Sequence, residues 1–336
     1  MRLIDADVVA KDLEPLRLIE VLREAHREGG MGEVVRLSIE APGTANSALS
    51  WLAWHPARGV AVKTATIFPG NSSSGSGPNI QSVVTLFDAA CGRPLAAIHG
   101  ESFTRMKAAA DSALVADLLA RRDAATLAAL GAGGQAKTHI RFHRAVRPSL
   151  WRVLIWNRTA ATGERLAAEL RQEGIDAKAL LHPEAAVREA DIVSCLTASA
   201  DPVLRGAWLR PGAHVDLVGG FTPAMGESDD DVVRRGRLFA DTLPFTLTVH
   251  ETAGDEAARR SEFGAFPCSR FSLFCAVNRS GSATRAALYH PFRPEEEPAV
   301  ADCQWIGKAV VIVGVEKFGP RRFAADRPRS RTSAAR

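Results

Sequence analysis

The stretch that most restricts the fold is Gly131-Ala132-Gly133-Gly134-Gln135-Ala136, a G-x-G-x-x-A pattern. It stands between an apolar run, Ala125 to Leu130, and a helical pattern that extends from Gly134 to about Val146. Each position has its own physical use. Gly131 permits the tight turn out of a strand, and Gly133 lets backbone amides approach a pyrophosphate with no Cβ in the way. Ala136 lets the following helix pack closely on the sheet. The helix N-terminus adds a favourable dipole for the anion. Glycines also serve ordinary turns, so the setting decides: strand, turn and helix follow in the required order, and a second strand, Arg152 to Trp156, comes after them.

The same rhythm continues with a helix over Ala160 to Glu173, a strand near Ala177, and strands at Asp191 to Leu196, Ala213 to Val218 and Leu238 to Ala240. Strand and helix alternating at this spacing predict a parallel, doubly wound sheet with helices on both faces. The first 120 residues read differently. Leu16 to Arg27 is an amphipathic helix. Ala48 to Ala53, Gly59 to Ile67 and Val83 to Asp88 read as strands of an antiparallel or mixed sheet, with the loop Pro69 to Pro78 between two of them, and Thr104 to Arg121 as an Ala-rich helix. The 336 residues are enough for two domains. The expected division is a smaller α/β domain over 1–120, a nucleotide-binding domain over 121–248, and an atypical C-terminal segment over 249–336 in which Lys308 to Val315 could form one apolar strand.

Composition excludes several classes. With 42 Lys+Arg against 38 Asp+Glu, and the excess Arg gathered in the last 17 residues, the chain is too evenly charged for a nucleic-acid binder, and that tail reads as a solvated end. No apolar run is long enough to cross a bilayer and MRLIDADVVAKDLE lacks an export signal, so a cytoplasmic protein is expected. The five scattered cysteines offer no CxxC spacing. His139 and His143 have metal-ligand spacing on the helix after the glycine turn; lacking a matching carboxylate in the sequence, they read as helix surface or sheet packing, and no metal is expected. Asp229-Asp230-Asp231 reads as a helix N-terminus.

At the end of the second strand stand Asn157, Arg158 and Thr159. An NAD-preferring site would place Asp or Glu there for the ribose hydroxyls, whereas a guanidinium suits a 2′-phosphate by charge and by bidentate geometry. The cofactor expected is NADPH, with NADH the lesser candidate. Thr197 ends a strand on the ligand side of the sheet, within reach of ribose or nicotinamide.

The wider chain resembles the ornithine cyclodeaminase/mu-crystallin family. The matching pieces include Gly59-Val60-Ala61-Val62-Lys63, Phe68-Pro69-Gly70-Asn71, Leu86-Phe87-Asp88, Thr104 to Leu114, the glycine turn, Ala190-Asp191-Ile192-Val193, Trp208 to His214 and Gly219-Gly220-Phe221-Thr222-Pro223, in one order from about residue 1 to 245. The resemblance implies a Rossmann-type domain joined to a smaller α/β domain that binds substrate and forms a homodimer. It places the substrate carboxylate on Arg36, Lys63 and Lys107, with Lys63 also the catalytic candidate.

Two departures bear on the reaction. Cyclodeaminases of the family carry an R-T-A-A motif where this chain has Lys107-Ala108-Ala109-Ala110, and an acidic acid/base residue where it has Phe221. Phe has no proton to move. The pattern is similar to the ketimine reductase branch, which takes Δ1-pyrroline-2-carboxylate or Δ1-piperideine-2-carboxylate to proline or pipecolate, with Phe221 covering the substrate ring. An ornithine cyclodeaminase and a non-catalytic NADPH-binding protein of the mu-crystallin kind are the alternatives. The partner implied is a small cyclic imino-acid carboxylate, with no nucleic acid and no membrane.

Overall fold

A computed structural model of the chain describes residues 1–28, 33–220, 225–237, 239, 311–312 and 314–315. The N-terminal part runs β1 (Arg2–Ile4), α1 (Ala6–Asp12), α2 (Pro15–Glu28), β2 (Glu33–Glu40), β3 (Ser47–His55), β4 (Gly59–Ile67), α3 (Asn71–Ser74), β5 (Ile80–Phe87), β6 (Pro94–His99) and α4 (Gly100–Leu119). Its six strands form one sheet in the order β1-β6-β5-β4-β3-β2. β2 to β6 are an antiparallel meander, and β1 lies parallel to β6. The three expected strands are all present. β1, β2 and β6 join them, and the helix expected from Thr104 begins at Gly100.

The sheet has two unlike faces because side chains alternate along each strand. Val34, Leu49, Ala53, Ala65 and Val84 are buried on one, where α4 crosses β5 and β6. The other presents Val35, Leu37, Ile39, Leu52, Trp54 and Val83 outward, all exposed.

The second part contains β7 (Thr126–Leu130), α5 (Ala136–Val146), β8 (Arg152–Trp156), α6 (Ala160–Gln172), β9 (Asp176–Leu180), α7 (Pro183–Glu189), β10 (Ile192–Cys195), β11 (His214–Leu217), α8 (Asp230–Arg235), β12 (Gly236–Arg237), β13 (Val311–Ile312) and β14 (Gly314–Val315). The sheet order is β13-β11-β10-β7-β8-β9, parallel except for β13. Taking β7 as the first strand, the parallel portion is 3-2-1-4-5, the doubly wound Rossmann order. Alternate residues of β7 feed two separate cores. Leu127 and Ala129 join Ile140, Val153 and Leu170, while Ala128 and Leu130 join Leu154, Val187 and Val215. Coverage on both faces is why these strands read as continuous apolar runs.

α4 connects the two parts. Every residue from Ala108 to Ala116 is buried, since the helix packs on α2, α5 and β5 at once. Alanine suits that position because three neighbours can approach closely. The Arg147 side chain, 3% exposed, donates from Nη2 to the carbonyls of Ala116 (2.7 Å) and Asp117 (3.1 Å), satisfying the C-terminal end of α4.

His139 and His143 are both fully buried in the second part, so packing against the sheet is their place rather than the helix surface. Asp216 on β11 supplies a carboxylate that spacing along the sequence does not reveal. It lies 2.8 Å from His143 Nε2 and 2.9 Å from His214 Nε2. Burial alone would raise the Asp216 pKa, but the two imidazoles outweigh it and hold the carboxyl well below its usual range. No group of three or more His, Cys, Asp or Glu among the described residues could hold a metal ion. Asp229 caps α8, its side chain accepting from the Val232 amide, as the acidic run suggested. The stretch around Val311 contributes two short strands rather than one: β13 pairs with β11, and β14 with β12. Phe221, Leu238, Ala240 and the rest of 249–336 lie outside the described residues, so that of the expected Leu238 to Ala240 strand only Phe239, which is buried, is described. No described helix is long and apolar enough to cross a membrane.

Candidate active site

The nucleotide end of the site forms where β7 and β10 lie side by side, the point at which the strand order reverses. Gly131 leaves β7 at φ +110°, and a Cβ there would lie 2.7 Å from the Leu196 carbonyl oxygen. Only glycine combines that backbone conformation with that approach. Gly133 has nothing within 4 Å of where a Cβ would stand, and both it and Gly134 are exposed. The Gln135 Oε1 is buried with no hydrogen-bond partner, immediately before α5. An open glycine turn and a helix N-terminus together fit a dinucleotide pyrophosphate.

Asn157 has a role in this loop. Its Oδ1 accepts from the Ala132 amide at 3.0 Å and its Nδ2 donates to the Thr159 carbonyl at 3.0 Å, so it ties the ends of β7 and β8 together. Arg158 and Thr159 are exposed beside it, leaving the guanidinium directed away from the core. On the other side, Thr197 follows β10, and its hydroxyl donates to Glu227 Oε1 at 2.8 Å. Glu227, 3% exposed, also accepts from the Thr197 amide (2.7 Å) and the Gly219 amide (2.6 Å), clamping the ends of β10 and β11. Nothing around Gly226-Glu227-Ser228 marks it in the sequence, because its partners stand 30 and 8 residues away.

The substrate end is built by cross-strand register. Arg36 on β2 pairs with Trp51 on β3, and Trp51 with Lys63 on β4. The three side chains therefore form one row on the inner face of the first sheet. The Arg36 guanidinium carbon lies 5.9 Å, and the Lys63 ammonium 5.1 Å, from the centroid of the Trp51 ring. Lys63 is buried, 7% exposed. Burial also lowers the Arg36 pKa, though a guanidinium stays charged in proteins. Two cations in a dry wall suit a small carboxylate.

Lys107 sits on α4 and pairs with Asp111 one turn on, Nζ to Oδ2 2.5 Å. Burial raises the Asp111 pKa against the pull of Lys107. His26 of α2 also feels Lys107: burial first, then the nearby ammonium, push its pKa down to about 4. Arg105, two residues before Lys107, reaches the glycine turn. Its Nη1 would stand 3.9 Å from a Cβ on Gly134, while it pairs with Glu101 at 2.9 Å. Structure thus joins Arg36 and Lys63 through Trp51, and brings α4 to the nucleotide loop.

The family model for the ornithine cyclodeaminase/mu-crystallin family matches residues 27–263. The chain belongs to that family. It is 41% identical over 199 residues to a Delta(1)-pyrroline-2-carboxylate reductase of Paracoccus denitrificans, covering 59% of this chain and 63% of that protein. Against a Delta(1)-pyrroline-2-carboxylate reductase of Colwellia psychrerythraea it is 30% identical over 251 residues, 74% of this chain and 79% of the relative. The chain thus spans less than two thirds of the Paracoccus relative's length. Among solved structures, Thermococcus litoralis Delta(1)-pyrroline-2-carboxylate reductase in complex with NADH and L-proline superposes with a TM-score of 0.70 at 26% identity, covering 74% of this chain and 78% of that one. This family member shares with it the doubly wound sheet at which the glycine turn opens.

Proposed function

We propose that the chain is an NADPH-dependent reductase of a cyclic imino acid, Δ1-pyrroline-2-carboxylate or Δ1-piperideine-2-carboxylate, giving L-proline or L-pipecolate. The observation that carries this reading is the row Arg36-Trp51-Lys63, two cations sharing one indole on a mostly dry sheet face. Arg36 and Lys63 hold the substrate carboxylate and so fix C2, the carbon to be reduced, relative to the wall of the site; Lys107 adds a third cation from α4. Gly131 to Ala136, Asn157, Arg158, Thr159 and Thr197 hold the nucleotide, which when bound supplies a hydride to the C=N bond. Arg158 reads the 2′-phosphate and so favours NADPH over NADH. Phe221 covers the ring. The two six-stranded sheets support a division into a substrate domain over 1–120 and a nucleotide domain over 121–248, with β13 joining the second sheet from the segment 249–336. The outward apolar face of the first sheet, with Leu37, Ile39 and Trp54 exposed, supports a homodimer in which that face is covered.

The test is NADPH oxidation with each cyclic imine, beside an ammonia assay on ornithine. Imine-dependent oxidation that disappears in Lys63→Ala is the expected result. Ammonia release without imine reduction would overturn it in favour of a cyclodeaminase, and tight NADPH binding with neither activity would leave a binding protein.

A further inference from the structure

We infer that Trp51 is the residue that selects a flat ring in this site, accepting a planar cyclic imine in preference to its puckered, saturated product. The inference rests on the proposed reductase reading and deepens it, because the carboxylate clamp alone cannot tell substrate from product: both carry the same carboxylate.

The geometry points to the indole for three reasons. First, the register puts Trp51 between the two cations, in the middle strand of three, so a carboxylate shared by Arg36 and Lys63 must lie beside its ring. Second, the guanidinium and the ammonium stand 5.9 and 5.1 Å from the ring centroid, both within cation–π range. Those contacts hold the cations against the indole and set the height at which a carboxylate can sit above the wall. Third, the wall around Trp51 is small or aliphatic. Val34, Leu49, Ala53 and Ala65 are all buried on the same face, and no other Phe, Tyr or Trp of β2, β3 or β4 shares it.

A ring with a C=N bond conjugated to its carboxylate is a flat slab. Flatness favours stacking on the face of an indole, whereas a positive ring nitrogen is common to the protonated imine and its amine product and does not tell them apart. After reduction, C2 is tetrahedral and the ring puckers, so the carboxylate and the ring can no longer lie in one plane on Trp51. The indole thereby weakens the hold on product without weakening the clamp. An open-chain imine gains less from the same surface because it must give up rotational freedom to lie flat.

The experiment measures binding by calorimetry, in the presence of the oxidised cofactor, of flat pyrrole-2-carboxylate and puckered L-proline. The chains compared are wild type, Trp51→Phe, Trp51→Ala and Lys63→Ala. Trp51→Ala is expected to weaken pyrrole-2-carboxylate about tenfold and L-proline far less, while raising KM for the imine more than it lowers kcat. Trp51→Phe, which keeps an aromatic face, is expected to recover most of the discrimination and guards against a folding defect in the alanine variant. Lys63→Ala is expected to weaken both ligands alike. Equal losses for both ligands in Trp51→Ala, or no loss, would overturn the inference while leaving the reductase reading intact. A wild-type chain that binds neither ligand and reduces neither imine would overturn both.

Discussion

His26 makes the fold acid-sensitive in a window that can be worked out. Its pKa is about 4 in the folded chain against 6.5 for an unperturbed imidazole, through burial and then through the Lys107 ammonium. The folded state therefore resists protonation that the unfolded state accepts. Stability from this group is complete above pH 6.5, falls as pH drops towards 4, and is flat below that. At about 1.4 kcal/mol per pKa unit the full loss is roughly 3 kcal/mol, and at pH 5 about 2 kcal/mol. Urea unfolding of wild type and His26→Gln at pH 7.5 and pH 5 isolates the term, because other titrating groups contribute equally to both chains. The wild type is expected to lose about 2 kcal/mol more than the variant between the two pH values. A double difference within about 0.5 kcal/mol of zero would refute the burial of a neutral His26 in the folded chain.

Other perturbations probe the rest of the site. Gly131→Ala meets both the positive φ and the Leu196 carbonyl, and is expected to weaken NADPH binding about tenfold or more, measured by fluorescence titration. Glu227→Ala leaves the Thr197 and Gly219 amides without their acceptor; with about 1–3 kcal/mol for each orphaned donor, a loss of about 2–6 kcal/mol is expected in urea melts. Arg158→Ala should weaken NADPH about tenfold and leave NADH nearly unchanged. Leu37→Glu with Trp54→Glu, on the outward face of the first sheet, is expected to yield a monomer by analytical ultracentrifugation; an unchanged dimer would place the interface elsewhere.

The second sheet was legible because each of its parallel strands is buried on both faces: TLAAL, RVLIW and IVSC leave little else for such runs to be. β2 was not, since EVVRLSIE puts the cation Arg36 on the inner face and leaves Leu37 and Ile39 exposed on the other, the reverse of the usual apolar-in pattern. β6 opens on a proline, and α1 is only seven residues long and relies on the Asp5 cap. Gly131 to Ala136 could be read from local order alone. Arg36 and Lys63 came from family resemblance, and their relation to Trp51 exists only in the register of three strands. The carboxylate beside His143 escaped for the same reason: Asp216 is 73 residues away along the chain, and only β11 brings it next to α5.

The 20-residue helix α4 has a consequence for how the chain folds. It contacts β5 in the first sheet and α5, which packs on the second, and Arg147 from beyond α5 closes its C-terminal end. Neither half can unfold while leaving this helix fully packed, so the two sheets share the free energy of one buried alanine surface. Such sharing turns two layers that might melt separately into one cooperative unit. Native-state hydrogen exchange should then find the amides of Ala108 to Ala116 among the slowest in the molecule, opening only when both sheets do.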